Sequence, residues 1–74
     1  MTLDTLEVGA TARVERVRGG RAIVQRLQEM GMTTGVMVKV IRVAPLGDPL
    51  EVELRGYRLS LRKDEAAAVE VSAL

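Results

Sequence analysis

The stretch Leu50-Glu51-Val52-Glu53-Leu54-Arg55-Gly56-Tyr57-Arg58-Leu59-Ser60-Leu61-Arg62 sets the architecture of this chain. Apolar and polar residues alternate from Leu50 to Leu54 and again from Tyr57 to Leu61, the period-two pattern of strands with one buried face. With Arg55-Gly56 as a two-residue loop, Leu54 pairs with Tyr57, Val52 with Leu59 and Leu50 with Leu61, so every apolar side chain meets another. The same register sets Glu53 opposite Arg58 and Glu51 diagonal to Arg58 and Arg62 on the other face. A slip of one residue would lose both matches. Arg-Gly is a weaker turn signal than Asn-Gly, so the register rests on the strands. It also turns Tyr57 toward the core.

Upstream, Ala44-Pro45-Leu46-Gly47-Asp48-Pro49 breaks the β pattern, because its prolines lack backbone donors and Gly47-Asp48 favours a turn. Before it lies the longest β-prone run, Val36 to Val43, whose apolar residues fall on both faces. Such a strand is expected to lie centrally in a barrel, or to bend so that its halves pack differently. Between Arg21 and Met30 the period changes: Ile23, Leu27 and Met30 fall on one face of a short helix, and Gly31 suits its C-terminal cap. Alternation at Ala10, Ala12 and Val14 marks a first strand over 10–17, closed by Gly19-Gly20. Lys63 to Ala68 suits one helical turn, and Val69-Glu70-Val71 a last short strand. The expected fold is mainly β: a small, partly open SH3-like or OB-like barrel of about five strands with one short helix over about 21–30.

The chain has 74 residues and no cysteine, so it has no disulfide or thiolate site to staple it. A domain this small buries only about 60% of its unfolded surface, and one domain over 1–74 is expected. Tyr57 is the one aromatic residue, so aliphatic side chains must fill the core. No run reaches the roughly 18 apolar residues of a membrane span, and Met1-Thr2-Leu3-Asp4 lacks the features of a signal peptide. A soluble, cytoplasmic chain is expected, which the lack of cysteine also fits.

Catalysis has little to work with. There is no histidine, and the two serines, Ser60 and Ser72, have no activating base in view. The carboxylates Glu51, Glu53, Asp64 and Glu65 are interleaved with arginines and read as a solvated charged face. Asp48 and Asp64-Glu65 show no metal-binding spacing, so no metal site and no cofactor are expected. Gly19-Gly20-Arg21 lacks the spacing of a phosphate-binding loop and reads as a strand-to-helix turn. Arg13, Arg16, Arg18, Arg21 and Arg26 raise the question of nucleic acid. The net charge of +1 and an inward-facing lone tyrosine argue against it.

At Leu27-Gln28-Glu29-Met30-Gly31-Met32-Thr33-Thr34-Gly35 and Val43-Ala44-Pro45-Leu46-Gly47-Asp48-Pro49-Leu50 the chain resembles the FeoA family of ferrous-iron transport accessory proteins. The Ala-Pro-Leu-Gly-Asp-Pro loop is the more specific match. Arg55-Gly56 with Leu59, Leu61 and Arg62 also fits, and the resemblance runs from about Leu6 to Val71. Thr34 departs from it, standing where members often have proline. The resemblance implies an SH3-like fold and a non-catalytic cytoplasmic role in iron uptake, through the membrane transporter FeoB and its GTP-binding domain. Similar domains end metal-dependent transcriptional repressors; with no DNA-binding segment here, a freestanding accessory protein is expected. Direct binding of a transition metal or of nucleic acid is the alternative.

Loops and short elements on rigid scaffolds commonly carry recognition. The expected docking residues are Arg21, Gln25 and Arg26 of the helix with Leu46 and Asp48 of the loop, joined by Leu27 and Met30, whose spacing also suits core packing. Self-association through an open barrel edge stays open.

Overall fold

The computed structural model describes Met1–Leu74. It contains five strands: β1 (Thr11–Val17), β2 (Met37–Val43), β3 (Leu50–Leu54), β4 (Tyr57–Leu61) and β5 (Val69–Ala73). They form one antiparallel sheet in the order β4-β3-β2-β1-β5, curled into a partly open SH3-like barrel. Helix α1 (Arg21–Glu29) follows β1, the short helix α2 (Lys63–Ala67) joins β4 to β5, and a single 3-10 turn covers Leu3–Thr5. No helix is long and apolar enough to cross a membrane.

The β3–β4 hairpin has the register that its apolar alternation demands, with Leu50, Val52 and Leu54 opposite Leu61, Leu59 and Tyr57. Its loop residues Arg55 and Gly56 both have positive φ, 50° and 82°, the backbone that a two-residue hairpin needs to match strand twist. The apolar residues on both faces of β2 have a simple origin. A bulge leaves Ile41 unpaired between Val40↔Val52 and Arg42↔Glu51, so the inward phase passes from Val38 and Val40 to Val43. The partner irregularity in β1 leaves Glu15 unpaired against β5, and the inward set passes from Ala12 and Val14 to Val17. β2 is central, and it also bends.

Helix α1 ends as its sequence suggests. Gly31 has φ 102°, its N–H donates to Gln28 O at 3.0 Å, and Met32 N–H donates to Leu27 O at 3.0 Å. This is a Schellman closure, with Leu27 and Met32 both fully buried as its apolar contact. Tyr57 corrects the sequence reading. It is 40% exposed at the barrel edge, and its hydroxyl donates to Met30 O at the end of α1. A Cβ on Gly31 would run into that hydroxyl and lie 3.3 Å from Leu54 Cδ1, so close passage of the tyrosine requires glycine.

One cluster of 15 buried side chains forms the core, led by Val14, Val38, Val40, Val52, Leu54 and Leu61, with no aromatic member. The N-terminus contributes what the sequence patterns did not reveal. Leu3 is fully buried, Thr2 bridges to Glu70, and Val71 N–H donates to Met1 O at 2.9 Å. Residues 1 and 2 therefore lie along the outer edge of β5.

Candidate functional site

The proline-bounded loop is held by its own backbone: Gly47 N–H donates to Ala44 O at 2.7 Å and Ala44 N–H to Pro49 O at 3.0 Å. The Asp48–Pro49 peptide is cis. Asp48 Oδ1 accepts the N–H of Lys63 at 3.0 Å, which ties the loop to the first turn of α2. Two residues on, Glu65 is 5% exposed, accepts Arg62 N–H at 2.9 Å and pairs with the Arg26 guanidinium of α1. Burial of a carboxylate is costly, and these two donors are what it is given in return.

These ties create an open cleft of about 600 Å³ lined by Arg26, Asp48, Pro49, Ser60, Arg62 and Glu65. A smaller recess of about 270 Å³ adjoins it, sharing Arg26, Arg62 and Glu65 and adding Ala22, Ile23 and Asp64. Of the expected docking residues, the fold brings Arg26 and Asp48 together here. Leu46 is 95% exposed at the loop tip. Arg21 and Gln25 lie exposed on α1 outside the cleft lining, Gln25 donating to Glu29 at 3.3 Å. Leu27 is fully buried and Met30 is half-buried against the core, so their helical spacing reflects packing. Ser60, Arg62 and Glu65 were missed. The Arg62-x-x-Glu65 spacing of a capping box was legible, but arginine is not the residue that normally announces a cap.

The electrostatics bear on the nucleic-acid alternative. Arg16 and Arg18 both pair with Glu70, and Arg26 with Glu65, so three of the five clustered arginines are engaged by carboxylates. No group of three or more carboxylates converges to hold a metal ion.

Fold and cleft together define a small SH3-like barrel with a polar cleft between a loop and two helices. The chain belongs to the FeoA domain family, whose profile matches residues 1–73. It is 36% identical over its full length to the Fe(2+) transport protein A/Fe(2+) transporter FeoB fusion protein of Porphyromonas gingivalis, and spans only 9% of that relative's length. Among solved structures, FeoA of Chlorobium tepidum is 40% identical with a TM-score of 0.92, covering all of this chain and 70% of that one. The zinc-complexed FeoA of Stenotrophomonas maltophilia, described as a prokaryotic SH3 domain protein, is 37% identical with a TM-score of 0.85, covering 97% of this chain and 89% of that one. A manganese-dependent transcriptional repressor shares the fold, with a TM-score of 0.92 at 18% identity over 36% of its length.

Proposed function

We propose that this chain is a non-catalytic accessory module of ferrous iron uptake that docks on the cytosolic part of a FeoB-type transporter. The observation that carries this reading is the Porphyromonas gingivalis relative, in which an Fe(2+) transport protein A and FeoB form one protein. A domain covalently joined to a transporter in one organism is a natural binding partner for it in another. The docking surface in this reading is the α1 and loop face: Arg21, Gln25 and Arg26 with Leu46 and Asp48. Leu46 supports it most, because a fully exposed leucine at the tip of a hydrogen-bonded loop presents apolar surface on a rigid mount.

A pull-down on the transporter's immobilised cytosolic domain tests the assignment. Leu46→Asp and Arg26→Glu are each expected to weaken retention about tenfold, the scale of a single interface anchor. Arg13→Glu, at an exposed position in neither α1 nor the loop, serves as the control and leaves it unchanged. Leu46 touches no core residue, so Leu46→Asp keeps the fold intact even if loss of the Arg26–Glu65 pair perturbs α2. Undiminished retention of a folded Leu46→Asp protein would sink the surface.

A further inference from the structure

The two edges of the sheet are finished differently. The β5 edge is covered by the chain itself, through the Thr2↔Glu70 bridge and the bond from Val71 N–H to Met1 O. The β4 edge has no neighbouring strand. In a two-residue hairpin the pair flanking the loop, Leu54 and Tyr57, exchanges both hydrogen bonds, and the pattern alternates from there. Arg58 and Ser60 are thus the non-bonded positions, and their N–H and C=O groups aim away from β3. None of these groups takes part in the turn, loop or capping bonds of the chain.

The side chains around this edge say what would fit it. Residues 55–63 carry Arg55, Arg58, Arg62 and Lys63 and no carboxylate, and the carboxylates nearest the edge are already engaged: Glu51 and Glu53 across the hairpin by Arg58, Asp48 by Lys63 N–H and Glu65 by Arg26. Arg55, Arg62 and Lys63 form no ion pair, and Arg58 reaches Glu51 and Glu53 only at 3.7 Å from a largely exposed position. On the opposite face Tyr57 and Leu59 are incompletely covered, the one exposed and the other half-buried. A second copy adding its own β4 would set cations against cations, which argues against self-pairing. An extended segment alternating acidic and apolar residues answers both faces at once, its acids toward Arg58 and Arg62 and its apolar side chains over Leu59 and Tyr57.

We infer that the β4 edge is a strand-addition site for an extended, acidic-apolar segment of a protein partner, bound through the outward backbone groups of Arg58 and Ser60. The edge adjoins Arg26 and Asp48 of the transporter reading through their common cleft, but the inference names the chemistry of the bound segment and not the protein that bears it, so either reading can fail without the other.

The test titrates the full chain with a short blocked peptide alternating glutamate and valine, followed by amide NMR and hydrogen exchange. Saturable binding is expected, with shifts centred on residues 57–62 and on the neighbours that adjoin them, Arg26, Met30, Asp48 and Glu65. The Arg58 and Ser60 amides should gain about tenfold or more protection, as newly bonded groups do. The same peptide N-methylated on alternate amides, and one with lysine replacing glutamate, should not bind. Ser60→Pro deletes the outward N–H at an edge position where proline is tolerated, so the fold survives and binding is lost. Binding that persists through N-methylation or through Ser60→Pro overturns the inference, as does the absence of saturation. Protection that rises with protein concentration without peptide would make a second copy the occupant and equally overturn it.

Discussion

Arg55 holds φ at 50°, a left-handed conformation that costs an L-residue with a Cβ roughly 1 kcal/mol. Nothing on the arginine side chain offsets this, for it is exposed and forms no ion pair. Asparagine reaches that region more readily, so Arg55→Asn should raise stability by about 0.5–1 kcal/mol in urea unfolding, with an unchanged denaturant slope. Unchanged or lowered stability would mean that the arginine has a compensating role. Gly31 is the opposite case, a positive-φ position where glycine is required twice over, by its backbone and by the tyrosine hydroxyl that crosses it.

Among the elements, α2 is short but fixes how α1 and the proline-bounded loop meet the barrel. Its Glu65 accepts from Arg62 N–H and from Arg26, and Asp48 reaches its first turn from the other side. Glu65→Ala leaves the Arg62 amide without its acceptor and releases the guanidinium, and should cost about 2–3 kcal/mol by thermal or urea unfolding. A loss below about 0.5 kcal/mol, the range of ordinary surface substitutions, would show that the tie is dispensable. The strands were legible because a buried face forces alternation, and the hairpin register because two independent matches, apolar and ionic, agreed. The bulges at Glu15 and Ile41 were half legible: valines three apart, Val14 to Val17 and Val40 to Val43, record a phase change that strict alternation cannot express. Tyr57 was misread because it lies on the edge strand β4, which has a neighbour on one side only, whereas its pair partner Leu54 on β3 is buried. The cleft was legible in two of its members, Arg26 and Asp48. Contacts made by residues far apart in the chain, such as Arg26 with Glu65, leave no periodic trace.

For the whole molecule, a chain this size has about 4–11 kcal/mol of stability at the usual 0.05–0.15 kcal/mol per residue. Each core side chain is then a large fraction of the total. Leu3, outside every strand and α-helix yet fully buried, should cost about 2–4 kcal/mol as Leu3→Ala, comparable to a barrel-strand residue such as Val52. A loss under about 1 kcal/mol would show that the N-terminal segment is an appendage and not a part of the core. The way that segment lies along β5 also decides how a neighbouring polypeptide could be attached. Met1 sits beside Val71, and Leu74 is three residues farther on, so both ends leave the barrel within about 10–15 Å of each other at extended-chain spacing. That exit point is at the opposite end of the strand order from β4. A tether fixed at either end would hold the module by its β5 edge, raising its effective concentration at an adjoining domain, while the proline-bounded loop and the β4 edge carry none of the attachment.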